Sequence, residues 1–243
     1  SGRSVVEVPV QTNVGQEKDQ NFNKDRGTLT IEQIEKVVSL WDEPDEVVVH
    51  NPADGQISMG EAIRAGQEWL INMGMEVERK DNDEVHQYAT LSTAVRESSE
   101  EEDDNEDVQT APYNSFWRVQ FYSSSLEAFL YVNAVTGQVW SADIILYDDF
   151  PKEIPSKKLR DFVELCGLKV SGSESEEELW QPSYSWMERV EIENSKLIAE
   201  MQFMRSQTGY PGSGYGKEGL LNFRSKILYK ENVNIVFKLS LDR

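Results

Sequence analysis

Few residues in this chain have the type and spacing of a reaction centre. There are two histidines, His50 and His86, and neither belongs to an H-E-x-x-H pattern or a Cys/His spacing that builds a zinc site. Each reads as a strand residue with a satisfied ring rather than a ligand. The single cysteine, Cys166, falls in the last turn of an expected helix. That end carries partial negative charge, which disfavours a thiolate, so Cys166 reads as a buried structural thiol. The stretch Gly209-Tyr210-Pro211-Gly212-Ser213-Gly214-Tyr215-Gly216-Lys217-Glu218-Gly219 invites a phosphate-loop reading and fails it. Three residues, not four, separate Gly212 from Gly216-Lys217, and Glu218 stands where Ser or Thr must bind magnesium. It reads instead as a hairpin loop. Tyr210 and Tyr215 on that loop are the candidate partner-binding residues, since Tyr gives contact area and Gly gives adaptability. Asp81-Asn82-Asp83-Glu84 and Asp103-Asp104-Asn105-Glu106-Asp107 lack the spacing of a tight calcium loop. The residues therefore assign no catalytic, metal-binding or cofactor-binding positions, and no cofactor is expected.

Charge narrows the partners. Residues 1–150 hold 10 Lys/Arg against 30 Asp/Glu, and residues 151–243 hold 14 of each. The whole net charge of −20 thus belongs to the first part. Such a field repels nucleic acid, and it argues against direct binding of the folded part to anionic membranes. One cysteine excludes an internal disulfide. No stretch approaches the roughly 20 apolar residues of a membrane span.

The elements that would position any site follow from periodicity. Residues 1–27 are polar and read as a flexible N-terminal arm. Thr30 and Gln33 make a capping box, and Ile31, Ile34, Val37, Val38 and Trp41 fall on one helical stripe. Glu46 to His50 is a short β-branched run. Ser58 and Glu61 make a second capping box, Ala62, Ile63, Ala65, Trp69, Leu70 and Met73 supply the apolar face, and Gly74 closes the helix. Strands are expected at Val85–Val95, Phe116–Tyr122, Ala128–Val132 and Val139–Tyr147. The last two form a hairpin through Thr136-Gly137. Eight of the eleven residues in 97–107 are acidic, which makes an acidic loop. A third helix begins at Ser156, with Leu159, Phe162, Val163 and Cys166 on its stripe and Gly167 closing it. Strands then follow at 190–192, 197–204, 220–229 and 233–241. Trp69–Val77 parallels Phe162–Val170, each a helix closing on Gly before an extended stretch, which suggests an internal repeat. The expected fold is α+β, with two similar lobes, each a helix packed on a curled antiparallel sheet. The first spans 28–149 and the second 150–243.

The residues Ile57-Ser58-Met59-Gly60-Glu61-Ala62-Ile63 resemble the helix opening of a PepSY domain. Phe129-Leu130-Tyr131-Val132-Asn133-Ala134-Val135-Thr136-Gly137-Gln138-Val139 is similar to that family's hairpin, with Asn133 in place of the usual Asp. The resemblance covers about residues 57–147. It implies a cystatin-like helix-on-sheet unit and a bacterial extracytoplasmic protein, secreted or anchored through an N-terminal segment outside this sequence. It also implies a non-enzymatic role, regulatory or protein-binding, with an unknown protein partner at the cell envelope. The alternatives are a small-ligand binder or enzyme with its site in the cleft between lobes, and a purely structural ectodomain.

Overall fold

The structure, a computed structural model, describes residues 26–75, 85–96, 111–147, 154–155, 157–172, 179–180, 185–211 and 227–242. Residues 1–25, the acidic run 97–107 and Tyr215 lie outside them.

Helix α1 (Ile31–Asp42) opens on Thr30, whose hydroxyl accepts from the Gln33 amide while the Gln33 side chain accepts from the Thr30 amide. Strand β1 (Glu46–Val49) follows, then α2 (Met59–Asn72), which starts with the reciprocal Ser58/Glu61 box. Strands β2 (His86–Val95), β3 (Ser115–Tyr122), β4 (Leu126–Asn133) and β5 (Val139–Tyr147) form an antiparallel meander. A short pair, β6 (Ile154–Pro155) and β7 (Leu179–Trp180), stands apart. Helix α3 (Lys157–Leu165) precedes β8 (Ser185–Glu191), β9 (Leu197–Pro211) and β10 (Ile227–Leu241). Two expected strands, 220–229 and 233–241, meet in one: β10 runs unbroken through Lys230-Glu231-Asn232 because β9 pairs with it along its whole length.

The two-lobe expectation is overturned. One eight-stranded antiparallel sheet runs β1-β2-β3-β4-β5-β10-β9-β8. Its halves join where β5 pairs with β10, from Ser141–Lys238 to Tyr147–Asn232. Two separate lobes would each leave one of these strands as an open edge, and pairing them removes both edges. The seam also occupies the place where an inter-lobe cleft was expected. A single core spans it: Trp69 of α2 makes edge-to-face contacts with Phe162 of α3 and Phe237 of β10. Lys158 of α3 donates to the Met73 carbonyl at the end of α2, a cation against a helix C-terminus.

Side-chain alternation assigns the two sheet faces. Gly66 of α2 lies against Leu130 and Phe121, so these and Phe237 line the helix-covered face with α2 and α3. Their strand neighbours point the other way, and Trp41 of α1 meets two such residues, Phe116 and Tyr131. Helix α1 therefore lies on the opposite face and covers only part of it.

Candidate functional site

The uncovered part of that second face starts at the edge strand. All four residues of β1 are exposed, with Val47, Val48 and Val49 at 47%, 41% and 66%. One side of β1 pairs with β2 and the strand order ends there, so among the described residues no strand pairs with its other side. The chain forms a strand here because three β-branched residues sit between Pro44 and Pro52. Across the same face, Tyr88, Tyr122 and Phe129 stack edge to face, and Arg118 lies over the Phe129 ring. Burial, then the nearby Glu127 carboxylate, pushes the Tyr122 hydroxyl above its ordinary range. Met187 and Met204 are exposed on the far strands.

Behind β1 is an apolar cavity of about 320 Å³, between α1 and the sheet. It extends from Pro44 and Val47 at the edge to Lys238 and Leu239 in the middle of the sheet, with Trp41, Phe116 and Trp140 as aromatic walls. Lys238 pairs with Asp42 at 3.0 Å beside it. Of the indoles, half-buried Trp41 donates to the Asn114 carbonyl and buried Trp117 to the Ile57 carbonyl. The N–H groups of Trp69 and Trp140 have no acceptor among the described residues. Trp69 is wedged among rings, whereas Trp140, 3% exposed, lines the cavity.

A directed hydrogen-bond chain anchors the end of β1. His50 Nδ1 lies 2.8 Å from the Asn51 carbonyl, which can only accept, so Nδ1 carries the proton and Nε2 is left as acceptor. Thr93 Oγ1 then donates to Nε2 at 2.6 Å, and Ser115 donates to Thr93, also at 2.6 Å. Gln56 Nε2 completes the chain by donating to Ser115 at 2.9 Å. A hydroxyl beside an imidazole is the pairing used in nucleophilic catalysis. Here Ser115 is buried and engaged by Gln56, so what the chain accomplishes is to pin β1 and the 50–57 loop onto β2 and β3. The other histidine, His86, lines a shallow pocket with Tyr88, Gln120 and Tyr122.

A broader groove of about 980 Å³ opens at the N-terminus of α1. Glu32, Glu35, Glu191 and Asp242 line it, and Glu35 accepts from the Lys196 amide at 2.7 Å. Among the described residues, no three His, Cys, Asp or Glu side chains cluster to hold a metal, and no helix is long and apolar enough to cross a membrane.

Cys166 is 1% exposed and its thiol donates to the Val139 carbonyl; burial pushes its pKa far up. Tyr210 lies in β9, in register with Leu228, so it sits on a strand rather than in a loop. Sequence reading found the β-branched run at 46–50 but did not recognise an edge, and it missed the Trp41/Trp140 cavity. The signal for the first was a run of only four strand residues between two prolines. The cavity had no local signal, because its walls come from six separate elements.

Compared with protein-family models, with curated proteins and with solved structures, the chain matches none.

Proposed function

We propose that this is a non-enzymatic bacterial protein that works by binding another protein at the cell envelope, with a PepSY-like unit over residues 57–147. One observation carries the reading. Among the described residues, five of the eight exposed large apolar side chains, Val47, Val49, Tyr88, Met187 and Met204, lie on the sheet face that α1 only partly covers, while Val48 faces the other way and Met59 and Ile71 lie on α2. Scattered apolar residues need no explanation, but a surface that concentrates them marks an interaction site. The acidic charge supports a cationic partner over nucleic acid or an anionic membrane. The PepSY resemblance supplies the envelope location.

The test is made in the source cells with the full-length protein. A photo-crosslinking residue is placed at Tyr88, Met187 or Met204, and added protease is applied to intact cells. The expected result is a discrete crosslinked protein and a chain cleaved from outside. A chain protected until lysis, or no crosslink from any of the three positions, overturns the reading.

A further inference from the structure

We propose that the open edge of β1 receives an extended peptide from the partner, basic in charge and carrying one tyrosine whose ring fills the Trp41/Trp140 cavity. This rests on the protein-binding reading above and assigns it a site.

Three observations converge. First, the edge offers free backbone groups. The His50 amide donates to the Leu91 carbonyl, its directly opposite partner, so the ladder faces β2 at His50, Val48 and Glu46. Val47 and Val49 therefore turn their N–H and C=O outward, where an added strand would bond them. Second, the cavity begins at this edge. Val48 is opposite Thr93, and its neighbours Val47 and Val49 lie on the face that α1 covers, where Val47 forms part of the cavity wall. Alternate side chains of an added strand would point to that same face. The cavity is apolar and aromatic, and one of its walls is Trp140, whose buried indole N–H has no acceptor among the described residues. Tyrosine fits both features, with an apolar ring and an oxygen that can accept from the indole. Third, three acidic side chains, Glu43, Asp45 and Glu46, are exposed beside the edge, where one cation, Arg96, is held on the Ser39 and Glu43 carbonyls. Lysine or arginine flanking the tyrosine would complement them.

The probe is the synthetic peptide acetyl-Lys-Val-Tyr-Val-Lys-amide, titrated into the full chain by calorimetry, with hydrogen exchange read at the Val47 and Val49 amides. Saturable binding that slows exchange at those two amides is expected. Val49→Pro removes an outward N–H and keeps the ladder to β2, so the fold should persist while binding weakens about tenfold. Exchanging both peptide lysines for glutamate should weaken it by about the same factor. Exchanging the peptide tyrosine for phenylalanine should weaken binding several-fold in the native chain and have no effect in Trp140→Phe. That non-additivity separates a hydrogen bond from general packing.

Unchanged binding in a folded Val49→Pro chain overturns the proposal. So does a free chain whose Val47 and Val49 amides are already protected, because residues 1–25 or a second copy would then occupy the edge. If the peptide fails while the crosslinks in cells persist, the edge assignment falls and the protein-binding reading stands. If both fail, the reading falls with it.

Discussion

Asn133 shows how much one side chain decides. Its Oδ1 accepts from the amides of Val135 and Thr136 and from the Thr136 hydroxyl, while its Nδ2 donates to the Tyr113 carbonyl. Aspartate, usual at this place in the resembled hairpin, would keep the first three bonds and face a carbonyl with the fourth. Asn133→Asp should therefore cost about 2–3 kcal/mol, the desolvation of a buried unpaired acceptor. Chemical denaturation of the two proteins reads that cost, and equal stability would mean the site relaxes. Gly137, four residues on, has φ +68 and an amide bonded to the Asn133 carbonyl. The sequence alone indicated this glycine, because a two-strand reversal needs a positive φ. It did not indicate that an added Cβ would lie 3.1 Å from Arg26. Gly137→Val should cost roughly 1–3 kcal/mol by denaturation. Cys166, sealed against Val139, should be alkylated only as fast as the native fold opens. Rapid labelling without denaturant would contradict its burial.

At the scale of elements, the legible features are those that depend on near neighbours. The caps at Thr30 and Ser58 are three-residue patterns, and the helix-ending glycines Gly74 and Gly167 take φ +66 and +73 as their position demands. Ser58 also shows how a cap responds to pH. The Glu61 carboxylate accepts first from the Ser58 amide and then from its hydroxyl, and these bonds hold its pKa below the usual range. A group with a depressed folded pKa contributes stability above its unfolded value and loses it as pH falls through the folded one. The native chain should lose this contribution on acidification below about pH 4. Ser58→Ala should cost about 1 kcal/mol at neutral pH and flatten part of that acid slope, since only the backbone bond remains. Equal slopes for the two proteins would dissociate the cap from the titration. What sequence could not supply is a strand's neighbour. The alternation of β5 and β10 defines their buried faces and says nothing of which strand lies beside each, so two sheets and one sheet were equally compatible with it.

For the whole molecule, the seam between β5 and β10 means that the two halves share one core. Phe237 sits at its centre, against Trp69 from one half and Phe162 from the other. Phe237→Ala should cost about 3–5 kcal/mol, and both halves should unfold in one transition by near-ultraviolet dichroism and by hydrogen exchange. Exchange that leaves β2–β4 protected while β8–β10 open would show separable units instead. The seam also bears on how the chain is made. The strand that completes the middle of the sheet, β10, comes last in chain order, after β8 and β9 at the far edge. A growing polypeptide emerges from its amino end, so β5 can pair with β4 early, but its other side stays unpaired until residues 227–241 have appeared. During that interval the nascent chain carries an uncovered apolar strand, the kind of surface that chaperones hold and that stalled or truncated products use to aggregate.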